Sequence, residues 1–345
     1  MVVIFLNILL LFFYAVKLRS SSLNKNGQRF LFLIIAFLHL MFLHIFFNAS
    51  LFPDLKGYNS YFDSISNAQP SINFEIGWYY LNKILHGISH NSFILLFSVS
   101  IVMILCYLIT IKRYSAIPWL SVFLLLCTVF YDSLFVLRQN LAIPICLITI
   151  PYIIERKPVR FAILTLLAVS FHYSALVWFI AYFIYPVKIN LGFYFLMIIL
   201  SVLSYFLMDV ILKNLITLTP KIIAYTTSNN SGGTGVLKVA AVNFSTLALS
   251  LYCFGNHNSI NGYNKLFFQL AVVALLLNVI DFFGTSFTLF SRLNLYFTAS
   301  SILLIPNALA NIDNKRLNYI LIPAICICYL FLLMSIAQYG YGIKF

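Results

Sequence analysis

Charged residues are scarce in this 345-residue sequence: Asp, Glu, Lys and Arg make up 8% of it, whereas 62% is hydrophobic. A chain with so little charge cannot form the surface of a protein that folds in water. The composition therefore excludes a soluble enzyme, a disordered chain and a nucleic-acid-binding domain. Hydrophobic stretches follow one another from Met1 to Tyr339, which also excludes a protein with a single membrane anchor.

Acidic residues are the scarcest charged type: eight Asp and Glu stand against 21 Lys and Arg, for a net charge of +13. In a polytopic membrane protein this excess reflects the sorting of basic loops to the cytoplasmic side, so it does not indicate a nucleic-acid partner. The six cysteines lie in or beside apolar stretches, which is typical of packing residues. They predict neither a disulfide framework nor a metal site, and no cofactor is indicated.

The apolar runs are too long and too uniform for the alternating strands of a membrane β-barrel, so we expect an all-α polytopic membrane protein. The runs lie at residues 2–16, 30–51, 92–111, 116–131, 139–154, 160–187, 191–211, 238–254, 266–283, 292–310 and 317–337. No repeat and no soluble linker divides them. We predict that residues 1–345 form one membrane domain, with larger extramembrane segments at 52–91 and 212–237.

The predicted topology follows from the basic residues. The loop after the first run contains Lys17, Arg19, Lys25 and Arg29 and no acid, which places it in the cytoplasm and the N-terminus outside. Simple alternation then places the segment 52–91 on the outer side, and the basic pair at 112–113 and the basic turn at 155–160 in the cytoplasm.

The run at 160–187 is long enough for either one tilted span or two short helices that reverse near Phe171 and His172. The positive-inside rule does not decide between these two topologies. Two helices here give about twelve membrane helices in all, with both termini outside and the segment 212–237 on the same side as 52–91.

Two aromatic segments between the second and third runs contain carboxylates. In the first, Asp54 and Tyr58 would share one face of a helix, either as part of an interfacial aromatic belt or as a sugar-binding surface. In the second, Glu75, Trp78 and Tyr79 would share a face. An amphipathic helix on the membrane explains these aromatics, but it does not require the carboxylate. A functional role of this cluster is therefore slightly favoured over a purely interfacial one.

Two arginines interrupt apolar sequence near the ends of predicted spans. Arg138, followed by Gln139, and Arg292 either extend to the membrane interface or act at membrane depth. Two guanidinium groups on one side of the membrane would hold a diphosphate through bidentate contacts.

One histidine and one glycine-rich segment complete the set of candidates. His172 lies at the proposed reversal, where packing is the commoner role and general-base or phosphate-binding chemistry is the alternative. The segment 225–235, with Gly232 and Gly233, lacks the ending of a P-loop, so an NTP site is excluded. We expect a flexible loop whose amides either contact a phosphate or glycan or form a plain connection.

Taken in order, these elements form a recognisable pattern: Asp54 with Tyr58, Phe74-Glu75 with Gly77, Arg138-Gln139-Asn140-Leu141-Ala142, Ala168 with Phe171-His172-Tyr173-Ser174-Ala175, the loop ending at Gly235, and Arg292-Leu293. The pattern covers roughly residues 50–300. It resembles the EpsG-type members of the Wzy O-antigen and exopolysaccharide polymerases. The Arg-Gln-x-x-Ala and Phe-His-Tyr-Ser-Ala elements are its most specific parts.

The resemblance implies a fold similar to that of GT-C glycosyltransferases, with a periplasmic amphipathic helix region, and the activity of an inverting glycosyltransferase. Such a polymerase lengthens a glycan on undecaprenyl diphosphate at the periplasmic face of the bacterial inner membrane. Its implied partners are the lipid-linked oligosaccharide, membrane lipid and a chain-length regulator protein. The resemblance also favours the reversal at 160–187, since a single span would place Arg292 in the cytoplasm, away from Arg138 and His172.

The residues leave two questions open. The acceptor hydroxyl must lose a proton, and Glu75, His172 or Asp54 would serve as the base. A transporter or flippase of lipid-linked oligosaccharide would have the same composition. Such proteins usually place ionisable groups near the membrane midplane on broken helices, whereas most charges here lie at span ends, which favours chemistry at the membrane surface.

Overall fold

The computed structural model describes residues 2–46, 53–67, 75–134, 136–200, 202–203, 206, 233–255, 259–283 and 288–341. These residues form helices, turns and short connections, and no strand occurs among them. The chain divides into two compact units, residues 1–179 and 180–345. The single membrane domain stays a prediction.

Unit 1 begins with two long helices, and most of the helices that follow are shorter. Its helices are α1 (Val2–Arg19), α2 (Lys25–Phe46), α3 (Pro53–Ser64), a 3₁₀ turn (Ile65–Asn67), α4 (Ile76–Ile88), α5 (Phe93–Tyr114), α6 (Pro118–Cys127), α7 (Val129–Ser133), α8 (Leu137–Ile148), α9 (Ile150–Ile154), α10 (Pro158–Phe171) and a 3₁₀ helix (Tyr173–Trp178).

Unit 2 begins within the next helix along the chain. Its helices are α11 (Phe179–Ile184), which starts with the last residue of unit 1, α12 (Leu191–Leu200), α13 (Gly233–Phe254), α14 (Gly262–Phe283), α15 (Thr288–Thr298), α16 (Ser301–Ala310) and α17 (Lys315–Tyr341).

The described helices are those of a multi-pass membrane protein. Six candidate spans are long and apolar enough to cross a bilayer, and six shorter apolar helices accompany them. The total of about twelve membrane helices and the GT-C-like fold stay predictions. The predicted extramembrane segment 52–91 contains α3 and α4, which agrees with the expected helical region.

Several predicted spans are interrupted rather than continuous. The run 139–154 is divided at Thr149, whose hydroxyl accepts a hydrogen bond from the indole N–H of Trp178 at 2.8 Å. Pro151 follows at the start of α9, and a proline has no amide N–H to extend the preceding helix. Hydropathy alone did not reveal these interruptions, because both helices of each divided run are apolar.

The chain reverses at His172, as predicted. His172 has an extended backbone that ends α10 and begins the 3₁₀ helix. The rings of Phe161 and Phe179 lie 5.5 Å apart between their centres, although one continuous helix would separate these residues by about 27 Å. Residues 160–178 therefore fold back on themselves within unit 1.

The segments predicted to be cytoplasmic meet at one end of unit 1. The guanidinium group of Arg29 donates to the carbonyl of Ala116 at 3.0 Å, and the ammonium of Lys112 lies 5.2 Å from the centre of the Phe30 ring. Helix α10 begins at the neighbouring basic turn and runs for 14 residues, about 21 Å, to His172. The basic loops and His172 thus lie at opposite ends of α10.

Candidate active site

A single carboxylate, that of Glu75, joins three distant segments of unit 1. Its Oε2 accepts a hydrogen bond from Nη1 of Arg138 at 2.5 Å, and its Oε1 lies 3.0 Å from Nδ1 of His172. The backbone N–H of Tyr173 also donates to Oε1, at 3.4 Å. The Glu75 side chain is only 5% exposed, against 20% for Arg138 and 12% for His172. Two predicted site residues, Arg138 and His172, therefore contact the buried carboxylate of a third, Glu75.

All three side chains project from helix ends. Glu75 directly precedes α4, and its side chain makes no capping bond to that helix. His172 ends α10, and Arg138 lies in the first turn of α8. A cation is unfavourable at a helix N-terminus, because the unpaired N–H groups there carry partial positive charge. The nearby carboxylate of Glu75 offsets this repulsion and fixes the guanidinium group.

Gly77 allows this arrangement. A Cβ atom at this position would lie 2.7 Å from the carbonyl oxygen of Ser170, so a side chain does not fit between α4 and the end of α10. The close approach brings Glu75, two residues before Gly77, to His172, two residues after Ser170. Ser170 was not identified from the sequence, because an ordinary helical serine carries no signal of such a contact.

Glu75 is held in its ionised form. Burial raises the pKa of this carboxyl, but the hydrogen bond with His172 and the positive charge of Arg138 outweigh burial and lower its pKa from 4.5 to about 2. An ionised carboxylate only accepts hydrogen bonds, so Nδ1 of His172 is the donor in their contact. In a neutral imidazole the other nitrogen, Nε2, is then the hydrogen-bond acceptor.

Aromatic side chains support the guanidinium group. The Tyr58 side chain hydrogen-bonds to Arg138, and its ring centre lies 5.9 Å from the guanidinium carbon. Trp78 is fully buried and packs edge-on against Tyr58, with 5.4 Å between ring centres. Tyr79 is 3% exposed, and its hydroxyl accepts a hydrogen bond from Lys83 at 3.2 Å. Protein covers the rings of Trp78 and Tyr79, which support the Arg138 side of the site, and a role of these two residues in substrate binding stays a prediction.

The other candidates lie elsewhere. Asp54 is exposed in the first turn of α3, and Gln139 is buried beside Arg138 in α8. Arg292 is half-buried in α15, which belongs to unit 2. Gly233 begins α13, so residues 233–235 are helical where the sequence predicted a loop, and the rest of that predicted loop, with Gly232, lies outside the described residues.

Comparison with known proteins agrees with the pattern of site residues. The model of the EpsG family matches residues 29–343, a range that includes Glu75, Arg138, His172 and Arg292. No curated protein and no solved structure matches the chain. Since the family match extends over nearly the whole sequence, this multi-pass membrane protein with a buried Glu-Arg-His cluster belongs to the EpsG family, which supports a function as a membrane polymerase.

Proposed function

We propose that the protein is an O-antigen or exopolysaccharide polymerase. It transfers a glycan from undecaprenyl diphosphate to the non-reducing end of another lipid-linked repeat unit, at the periplasmic face of the bacterial inner membrane. The observation that carries this proposal is the cluster of Glu75, Arg138 and His172, because it combines a cation, an anion and a titratable ring in a partly accessible site. Family membership supports the same kind of reaction.

In the proposed reaction the acceptor oxygen forms a bond to the anomeric carbon of the donor glycan as the bond from that carbon to the diphosphate breaks. The departing lipid diphosphate takes the bonding electrons, and its negative charge must be stabilised. Arg138 and Arg292, the two predicted diphosphate-binding residues, provide this stabilisation. Loss of one such preorganised donor typically costs about 10²- to 10³-fold in rate.

The acceptor hydroxyl transfers its proton to Nε2 of His172. Glu75 orients the imidazole through Nδ1 and stabilises the positive charge that the ring gains. Glu75 itself is a poor base, because a carboxyl with a pKa of about 2 holds a proton weakly. Asp54 is a less suitable base than His172, because its carboxylate is exposed to solvent at the start of α3.

The predicted topology supports a periplasmic site. The basic loops at one end of α10 would face the cytoplasm under the positive-inside rule, which assigns the opposite end, with His172, to the periplasm. A chain-length regulator protein would act on the polymer that leaves this site.

Deletion of the protein from its host tests the proposal. A lost polymerase leaves single repeat units on the lipid carrier at the periplasmic face, whereas a lost flippase traps them at the cytoplasmic face. Arg138→Lys and Arg292→Lys should each abolish long glycans while the protein still inserts into the membrane, because Lys cannot form the bidentate contact. Repeat units trapped inside, or polymers of normal length from both variants, would contradict the proposal.

A further inference from the structure

A chain of buried amide and hydroxyl groups crosses the helices of unit 2. Asn243 of α13 donates to the hydroxyl of Thr298 at 3.4 Å, and Thr298 donates to Oδ1 of Asn294 at 3.0 Å. Asn294 in turn donates to Oδ1 of Asn278 in α14 at 2.5 Å. All four residues are less than 10% exposed. In each of these three hydrogen bonds the acceptor is the residue nearer to Asn278 in the series.

This hydrogen-bonded series ends at the side-chain amide of Asn278. Nδ2 of Asn278 is buried and has no hydrogen-bond partner in the described structure. If the amides of Asn278 and Asn294 were both rotated, Oδ1 of Asn278 would be the open end instead. Asp281 follows one turn later on the same side of α14, is 5% exposed, and makes no hydrogen bond or ion pair to the residues that the structure describes.

Folding alone gives no reason for this pair. A buried amide or carboxyl without a partner is unfavourable, especially within a bundle of apolar helices. An apolar side chain at Asp281 would pack the unit without that cost, whereas Asn278 also serves as the hydrogen-bond acceptor of Asn294. An open donor beside an open acceptor is, however, the arrangement that binds a hydroxyl group, whose oxygen accepts from the amide while its proton is donated to the carboxylate.

The end of α14 also lies beside a residue of the proposed site. Ile280 packs against Phe290 in one cluster with Leu277 and Leu293, so the last turn of α14 is next to the first turns of α15. Arg292 lies in those turns of α15, on the segment that leads into Asn294. A phosphate held by Arg292 would therefore have a sugar hydroxyl site in the same unit.

We propose that Asp281 and Asn278 form a sugar-binding subsite of unit 2. It takes a hydroxyl of the sugar that is attached to the lipid diphosphate, and this assignment rests on the proposed function. Asp281 is a binding residue in this scheme and takes no part in proton transfer. The sequence signal of this subsite is a pair of polar residues three positions apart in an apolar helix.

Asp281→Asn and Asp281→Ser test the subsite, with Asp313→Asn as the matched control, because Asp313 is an exposed acid of the same unit. The probe is the lipid-linked repeat unit extracted from cells that lack the protein. We expect its Kd and KM to rise roughly 10- to 100-fold in both Asp281 variants, the range for a lost hydrogen bond to a charged group. The control should match the parent protein.

Thermal unfolding in detergent separates binding from structure. Asp281→Asn should leave the melting temperature unchanged or raise it, because it removes a buried charge without a partner. A fall in melting temperature with unchanged Kd would make Asp281 structural and overturn the subsite, as would parental Kd values in both variants. If the parent protein binds the repeat unit without polymerising it, the proposed function fails, and the Kd comparison still decides the subsite.

Discussion

Glu75 shows how one side chain connects parts of the chain that are far apart in sequence. Its partners Arg138 and His172 are 63 and 97 positions away. The pair with Arg138 is largely removed from water, so breaking it leaves a buried charge without its counter-ion, which typically costs about 3–5 kcal/mol. The same ionised carboxylate has two consequences that can be measured, one for activity and one for stability.

Glu75→Gln should remove polymerisation while the protein still inserts and purifies. Gln keeps the shape of the side chain and an acceptor oxygen for Arg138, but it has no charge to stabilise a protonated His172. We expect a loss of at least about 10²-fold in rate, measured with the lipid-linked repeat unit. Equal rates for this variant and the parent would mean that Glu75 is a structural residue only.

The same substitution provides a test by pH. The pKa of Glu75 is about 2 in the folded protein and 4.5 when it is unperturbed, so its stabilising contribution is complete above pH 4.5 and is lost as the pH falls toward 2. The loss is on the order of 3 kcal/mol. The difference in free energy of unfolding between the parent and Glu75→Gln should shrink over this range, and parallel profiles would contradict the assigned pKa.

Arg156 is the one non-glycine residue of the described chain with a positive φ, at 53°. It occupies the left-handed position after α9, where Lys157 donates to the carbonyl of Tyr152 and Arg156 to that of Ile153. Glycine is the usual residue at this position. Arg156→Gly should therefore be more stable than Arg156→Ala by about 1 kcal/mol, since both variants lose the same side chain. Equal melting temperatures in detergent would contradict a conformational cost at this turn.

The contact between α4 and α10 determines whether the Glu75 cluster can form. It depends on a glycine, since any Cβ at position 77 would overlap the backbone of Ser170. Helix α4 places Glu75 at its start, while α10 places His172 at its end. A displacement of about 1 Å between these helices would lengthen the hydrogen bond on which both residues depend.

Gly77→Ala should force α4 away from α10 and reduce both stability and activity. We expect a cost of about 1–3 kcal/mol in free energy of unfolding and a large loss of polymer yield. Gly87→Ala is the matched control, because it lies in the same helix and a Cβ there contacts nothing within 4 Å. Similar behaviour of the two variants would show that the close approach does not position Glu75.

The arrangement of the protein in the membrane determines whether Arg138 and Arg292 can act on one diphosphate. Unit 1 contains the first and unit 2 the second. The predicted topology with a reversal at His172 would place both on the periplasmic side. A single crossing at residues 160–187 would separate them by the roughly 30 Å hydrocarbon core.

Cysteine labelling tests this topology without any substrate. Cysteines introduced at the exposed positions Ser60, Lys157 and Asp313 should differ in their reaction with a membrane-impermeant thiol reagent added to intact spheroplasts. We expect labelling of Ser60→Cys from outside, and labelling of the other two only after permeabilisation. Labelling of Asp313→Cys from outside would place Arg292 in the cytoplasm and remove it from the diphosphate site.

The sequence by itself determined the class of protein, the helices and most of the candidate residues. Composition and the length of the apolar runs indicate whether a segment lies in lipid or in water, so they predicted a multi-pass helical protein. Unusual residues in apolar surroundings also stand out locally, which is why Glu75, Arg138 and His172 were identified. The reversal at His172 was predicted as well, although hydropathy alone did not distinguish it from one long span.

Only the tertiary structure decided how these residues interact. Periodicity placed Trp78 and Glu75 on one face, but it could not show that protein covers the Trp78 ring and leaves Arg138 partly exposed. Nor could it show that Gly77 meets Ser170, or that the amide chain of unit 2 ends at Asn278 beside Asp281. These features depend on contacts between helices distant in sequence, and such contacts follow from packing, on which a local pattern carries no information.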